Sequence, residues 1–351
     1  MWYIKGNESR AGHGDRSRES LTVIAAAGIR WPIEPMSNPL LRWELMGRAR
    51  HIIESQQFDL DFMATLFEKA ERFSREGYDG NLSKQVMASL FYEPSTRTRF
   101  SFEAAMHRLG GSVITTENAR EFSSFAKGES LEDTIQVLGG YSDLIVMRHS
   151  EIGAAKLAAE ISSVPVINAG DGAGQHPTQA LLDLYTLHNA FGRIDGIKVA
   201  VVGDLRYGRT VRSLAYLLGK FQQVELWFVA PKVSQMHQDI KDYLDRQGVK
   251  WSDTDDLDGV MPLVDCIYMT RIQKERFLDV KEFELANNRF RLTLDNVQAM
   301  REDAIIMHPL PRVGEIHPEV DQDPRARYFE QARNGLWVRM ALILYVLGEW
   351  E

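Results

Sequence analysis

The chain has 351 residues, a formal net charge of −8 and one cysteine, a length that holds about two domains of ordinary size. The lone Cys266 excludes an internal disulfide framework and any multi-cysteine metal site, and it reads as a buried core thiol. An excess of 49 Asp+Glu over 41 Lys+Arg argues against a general nucleic-acid binder, and the longest apolar run near the C-terminus, residues 340–347, falls far short of the ~20 residues of a membrane span.

Residues 21–29 form a short apolar run after Arg16 and Arg18. Glu8, Asp15 and Glu19 precede it and no cleavage site follows, so a signal peptide is not expected. Trp31, Pro32 and Pro35 mark a linker, and Met36 is a candidate start of the folded unit or of translation. Residues 1–44 are therefore expected to be a poorly ordered extension of a cytoplasmic protein.

Helical and strand patterns alternate from there. Leu60, Met63, Leu66, Phe67 and Ala70 recur at helical spacing. Strand-like runs are expected at 86–91, 112–115, 144–148, 165–168, 198–202, 225–229, 266–269 and 304–307. Helical patterns separate most of them, which is the signature of an α/β protein with doubly wound parallel sheets. A long helix at 177–190 splits the strands into two groups, and a final helix spans 329–347. A long polar loop is expected at 116–130.

Ligands of open α/β sheets bind beyond the carboxyl ends of the strands, often at helix N-termini. Those positions carry the chemistry here. Ser95, Thr96, Arg97 and Thr98 open a helix directly after the first strand, and their donors suit a phosphate. A plain helix cap with solvated arginines is the other reading of that string. Arg148 ends the strand at 144–148. His176 and Gln179 follow a glycine-rich turn, three residues apart on one helix face. The glycines would let the backbone approach a ligand, but G-x-G-x-G is not a dinucleotide fingerprint. Arg209 follows the strand at 198–202. Arg271 and Gln273 follow the strand at 266–269 and could hold a carboxylate. His308, Pro309, Leu310, Pro311 and Arg312 form a rigid turn in which a cis X-Pro bond would aim the Leu310 carbonyl at a ligand. Together these describe a cation-lined cleft for small, multiply charged anions. No nucleophilic triad, acid/base carboxylate pair or metal motif is present, so neither metal nor organic cofactor is expected.

With these motifs in order, the sequence from about Leu45 onward resembles the aspartate/ornithine carbamoyltransferase family, and within it the aspartate-specific catalytic chains. The ornithine-specific relatives carry a cysteine where His308-Pro309-Leu310-Pro311 stands here. The resemblance implies two domains with the active site in the cleft between them. Residues 45–177 plus 334–351 would bind carbamoyl phosphate, and 178–333 would bind aspartate. Ser95, Thr96, Arg97 and Thr98 would hold the phosphate, with Arg148 nearby. Thr98, Arg148 and His176 would face the carbamoyl oxygen, and Gln179 and the Leu310 carbonyl the carbamoyl nitrogen. Arg209, Arg271 and Gln273 would bind the aspartate carboxylates, and Leu310 would border that site too. Glu93 would pair with Arg209 and Arg276 on domain closure. Ser123 and Lys127 would reach the active site of a neighbouring subunit in a homotrimer. Ala126 and Gly314 depart from residues common in relatives. A carbamoyltransferase for another amino acid, or a non-catalytic anion-binding homologue, are the competing readings.

Overall fold

In the computed structural model the described residues, 50–272 and 289–350, build two all-parallel sheets. Strands β1 (Val86–Phe91), β2 (Ser112–Glu117), β3 (Leu144–His149) and β4 (Val166–Asp171) form a four-stranded sheet in the order β2-β1-β3-β4. Strands β5 (Lys198–Val202), β6 (Glu225–Val229), β7 (Lys250–Thr254), β8 (Cys266–Met269) and β9 (Ile305–Met307) form a five-stranded sheet in the order β7-β6-β5-β8-β9. Every strand expected from the sequence is present. Strand β7 was not expected. It pairs only with β6, at the sheet edge, and its half-solvated K-W-S-D-T has no apolar run to announce it.

The strand order places the crevices. From β1 the chain steps to β2, then returns with β3 on the other side of β1. From β5 it steps to β6 and β7, then returns with β8 on the other side of β5. At each reversal the loops leaving the two central strands diverge, and a ligand can enter between them.

The main helices are α1 (Leu60–Glu76), α2 (Thr96–Arg108), α3 (Ala119–Phe122), α4 (Leu131–Gly139), α5 (Ala154–Ile161), α6 (Pro177–Phe191), α7 (Arg209–Leu218), α8 (Gln238–Arg246) and α9 (Tyr328–Leu347). Local chemistry sets their ends. The Asp59 carboxylate caps α1 by accepting from the Phe62 N–H at 2.8 Å. Pro177 fits the first turn of α6, and Gly192 ends it in the left-handed region. Every residue of α6 from Pro177 to Leu187 is buried. A helix covered all round is a central strut, and one apolar cluster runs through it. That cluster joins Phe91 of β1, Leu184 of α6 and Ile343 of α9 to Val201 and Tyr268 of the second sheet. Helix α9 packs on α1, α2 and α6.

The segment 116–130 is not the open loop expected from its polarity. It holds α3 and a 3-10 turn, Ser124–Lys127. Ala119 is fully buried and anchors it, and the Ser123 hydroxyl accepts from the Phe125 N–H at 3.2 Å. One buried alanine and a serine cap are too short a signal to show as periodicity.

Gly203 pins the crevice of the second sheet. Its φ is 116°, and a Cβ there would lie 2.3 Å from the Thr270 carbonyl oxygen at the end of β8. Backbone cannot yield as a side-chain tip can. Gly203→Ala should therefore lower stability by about 2–4 kcal/mol in chemical denaturation. An unchanged midpoint would show that the two strand ends are not locked together.

Candidate functional site

A cavity of about 410 Å³ opens where the two sheets' strand ends face each other. Its lining contains Ser95, Thr96, Arg97 and Thr98, all from the start of α2. Arg148, His176 and Gln179 line it from β3 and α6, and Arg209 and Leu310 line it from the second half of the chain. With His308, Pro309 and Pro311 beside Leu310, the structure therefore brings twelve of the residues singled out from the sequence to one cavity.

Each is held by a specific contact. Ser95 sits at the N-cap of α2, whose first N–H groups are free to face an anion. Arg148 donates to the Ser95 hydroxyl at 3.2 Å and to Glu93 at 3.3 Å. Glu93 thus holds Arg148 here; the resemblance implies that on domain closure it pairs with Arg209 and Arg276, the latter outside the described residues. Arg209 instead donates to the Gly172 carbonyl at 2.6 Å. It also lies against Gly170, where a Cβ would come within 3.1 Å of the guanidinium carbon. So what the glycine-rich turn admits, in this structure, is the Arg209 side chain from the other sheet.

Leu310 has φ 52°, and its bond to Pro311 is cis, as the proline spacing suggested. The Leu310 N–H donates to His308 Nδ1 at 2.7 Å. That contact makes Nδ1 the acceptor, so Nε2 carries the proton toward Glu315 at 2.7 Å. Glu315 in turn accepts from the Val313 N–H at 2.8 Å, so a buried His–Glu pair fixes the loop that presents Leu310.

The electrostatics are lopsided. Arg97, Arg148, Arg209 and Arg339 all line the cavity. Burial lowers the pKa of each, to about 10 for Arg209 and Arg339. All four remain cationic at neutral pH. The buried carboxyl of Asp183 is pushed by burial up to about 7, against the opposing pull of its hydrogen bonds from Tyr268, Gln331 and Gln179. The cavity therefore holds more positive charge than its own acids neutralise. Burial, then Arg209, Arg148 and Arg339, hold His176 well below its usual range, so its imidazole is neutral. A neutral imidazole can donate one hydrogen bond to a carbonyl-type oxygen and cannot serve as a charged acid.

Other expected residues lie elsewhere. Ser123 and Lys127 do not line this cavity within one chain. Arg271 is exposed at the end of β8 and does not line it either. Gln273 and Arg276 lie outside the described residues, as does the 1–44 extension. Arg339 and Gln331 of α9, and Thr210 of α7, line the cavity without having been singled out. Arg339 could have been found: it interrupts the apolar run of the last helix, yet it is only 3% exposed and lies over the Phe102 ring.

Because the folded pKa of His176 lies below the unfolded value near 6.5, its neutral form favours folding above that pH. The contribution is lost as pH falls further. Nuclear magnetic resonance of the His176 ring should show no titration between about pH 8 and 6. A midpoint near 6.5 would contradict the desolvated site.

Comparison with known proteins bears on the same residues. Residues 50–189 match the family model described as aspartate/ornithine carbamoyltransferase, carbamoyl-P binding domain. Residues 195–346 match aspartate/ornithine carbamoyltransferase, Asp/Orn binding domain. Aspartate carbamoyltransferase 1, chloroplastic, of Pisum sativum is 55% identical over 95% of this chain and 86% of its own length, which takes the match into the N-terminal extension. The aspartate carbamoyltransferase catalytic subunit of Thermococcus onnurineus is 49% identical over 87% of this chain and 99% of its own. Among solved structures, aspartate transcarbamoylase of Trypanosoma cruzi in complex with carbamoyl aspartate and phosphate superposes with a TM-score of 0.79 at 41% identity, covering 84% of this chain and 95% of that one.

Proposed function

The chain belongs to the aspartate/ornithine carbamoyltransferase family, and we infer that its cleft moves the carbamoyl group of carbamoyl phosphate onto the α-amino group of L-aspartate. The products are N-carbamoyl-L-aspartate and phosphate, an early step of pyrimidine synthesis. The observation that carries this reading is the joining of the Ser95–Thr98 anion cradle to Arg148, His176, Gln179, Arg209 and Leu310 in one cavity.

The steps follow from the residue types. Ser95, Thr96, Arg97 and Thr98 hold the phosphate at the start of α2, and Arg148 adds charge beside them. The amine of aspartate attacks the carbamoyl carbon, and its oxygen gains negative charge. Thr98, Arg148 and neutral His176 donate to that oxygen, and one such fixed donor is worth about 3 kcal/mol of barrier. The bond between the carbamoyl carbon and the bridging phosphate oxygen then breaks, and the departing phosphate accepts the amine proton, so no side-chain base is needed. Gln179 and the Leu310 carbonyl accept from the carbamoyl nitrogen. Arg209 binds the aspartate carboxylates together with Gln273 and with Arg271, which domain closure brings in from outside the cavity. Holding two anions together offsets their repulsion and supplies much of the rate. No metal or organic cofactor takes part in this scheme.

A homotrimer is the assembly this reading favours. Lys127 and Ser123 stand outside their own chain's cavity, which is consistent with service to a neighbour's. Residues 45–177 with 334–351, and 178–333, are the corresponding domains, and the packing of α9 on α1 and α2 supports joining the C-terminal segment to the first. Among the described residues no helix is long and apolar enough to cross a membrane. The cytoplasm is the proposed location, and the chloroplastic name of the pea relative makes plastid import the competing one. Intact mass of the native protein, with residues 1–44 kept or removed, separates them.

Phosphate release from carbamoyl phosphate should require L-aspartate, and L-ornithine should not replace it. Arg97→Ala should reduce turnover by at least about 10³-fold while the thermal midpoint stays within a few degrees. Near-normal activity in that variant would refute the assignment. Mixing inactive Lys127→Ala with inactive His176→Ala chains should restore part of the activity if sites are shared. No recovery after subunit exchange would place Lys127 outside catalysis in a neighbour's site.

A further inference from the structure

Gln179 has two ends, a carbonyl oxygen that accepts and an amide nitrogen that donates. In a site reading one substrate atom, which end faces the cleft decides what binds. Nothing in the Gln179 side chain itself fixes that choice. One turn further along α6, Asp183 does.

Asp183 is fully buried. Its Oδ1 accepts from Gln179 Nε2 at 2.8 Å and from Gln331 Nε2 of α9 at 2.6 Å. Its Oδ2 accepts from the Tyr268 hydroxyl of β8 at 2.7 Å. Tyr268 and Gln331 are themselves buried, which shields these bonds from bulk water. Oδ1 receives two amide nitrogens and can only accept. With Nε2 of Gln179 turned to that oxygen, Oε1 is the end left for the cavity that Gln179 lines.

We propose that Asp183 is a positioning residue that makes the site select a carbamoyl group, by holding the Gln179 amide with its acceptor end toward the substrate nitrogen. This rests on the reading of Gln179 given above. A carbamoyl NH₂ offers the donors that Oε1 accepts. An acetyl group of the same size offers a methyl and none. The discrimination between carbamoyl phosphate and acetyl phosphate therefore depends on an orientation set from behind, through a hydrogen bond the substrate never touches. The same carboxylate ties α6 to β8 and α9, so the orienting device is anchored in the core of both sheets.

The test compares Asp183→Ala, Asp183→Asn and Gln179→Ala in the full chain. The measured quantities are KM for carbamoyl phosphate, the inhibition constant of acetyl phosphate and the thermal midpoint. Asp183→Ala should raise KM for carbamoyl phosphate about tenfold and leave acetyl phosphate inhibition within about threefold. Asp183→Asn should stay within about threefold on both, because its Oδ1 still accepts both glutamine amides while its nitrogen faces Tyr268. In a Gln179→Ala background, Asp183→Ala should add little further loss in KM. Equal weakening of both phosphates in Asp183→Ala would reduce Asp183 to scaffolding and overturn the proposal. So would a tenfold loss in Asp183→Asn, which decides the matter even where the alanine variant does not fold. If Gln179→Ala raises KM for carbamoyl phosphate while Asp183→Ala does not, the proposal alone fails. If Gln179→Ala has no effect, the reading of Gln179 falls and takes the proposal with it.

Discussion

The structure depends on one electrostatic imbalance: four guanidinium groups share a cavity whose acids do not neutralise them. Burying an unpaired cation costs several kcal/mol, so the fold must hold these groups where they would not gather unaided. It does so with neutral or single-purpose partners. Glu93 and Ser95 hold Arg148, the Gly172 carbonyl holds Arg209, and the Phe102 ring lies under Arg339. The missing negative charge is the substrates' to bring. A net charge of −8 for the whole chain therefore says little about the ligand, because the local field decides it.

That arrangement needs a rigid frame, and α6 supplies it. Its N-terminal end carries His176 and Gln179 into the cavity, while its buried length joins the cores of the two sheets. Burial, reinforced by the positive field of three arginines, keeps His176 neutral. Cation placement and imidazole function are thus one design: the charges that attract the anions also suppress the protonation that would turn a polarising donor into a competing cation.

Much of this was legible in the sequence because it is local. Strand-end positions of Arg97, Arg148 and Arg209 follow from apolar runs bounded by polar turns, and Pro177 and Gly192 bracket α6. The prolines around Leu310 announced its unusual turn. What stayed hidden depends on distant partners. Asp183 sits between Leu182 and Leu184, and Arg339 between Val338 and Met340; each reads locally as a helix residue of no special role. A charge inside an apolar run was the available signal, but its partners Tyr268, Gln331 and Phe102 come from other elements. Strand β7 was missed because its pairing with β6, and not its own polarity, makes it a strand. The purpose of Gly170 also needed the fold, since the group it accommodates arrives from α7.

The most direct test of a single under-neutralised cleft is a calorimetric titration with a compound that joins a phosphonate to L-aspartate through an acetyl link. One site per chain is expected, at least about a hundredfold tighter than inorganic phosphate, because the second anion binds at high effective concentration. Affinity should fall steeply as salt screens the arginines. Binding no tighter than phosphate, or indifferent to salt, would contradict it: the two anion sites would then not share one cavity, or its charge would not be what holds them.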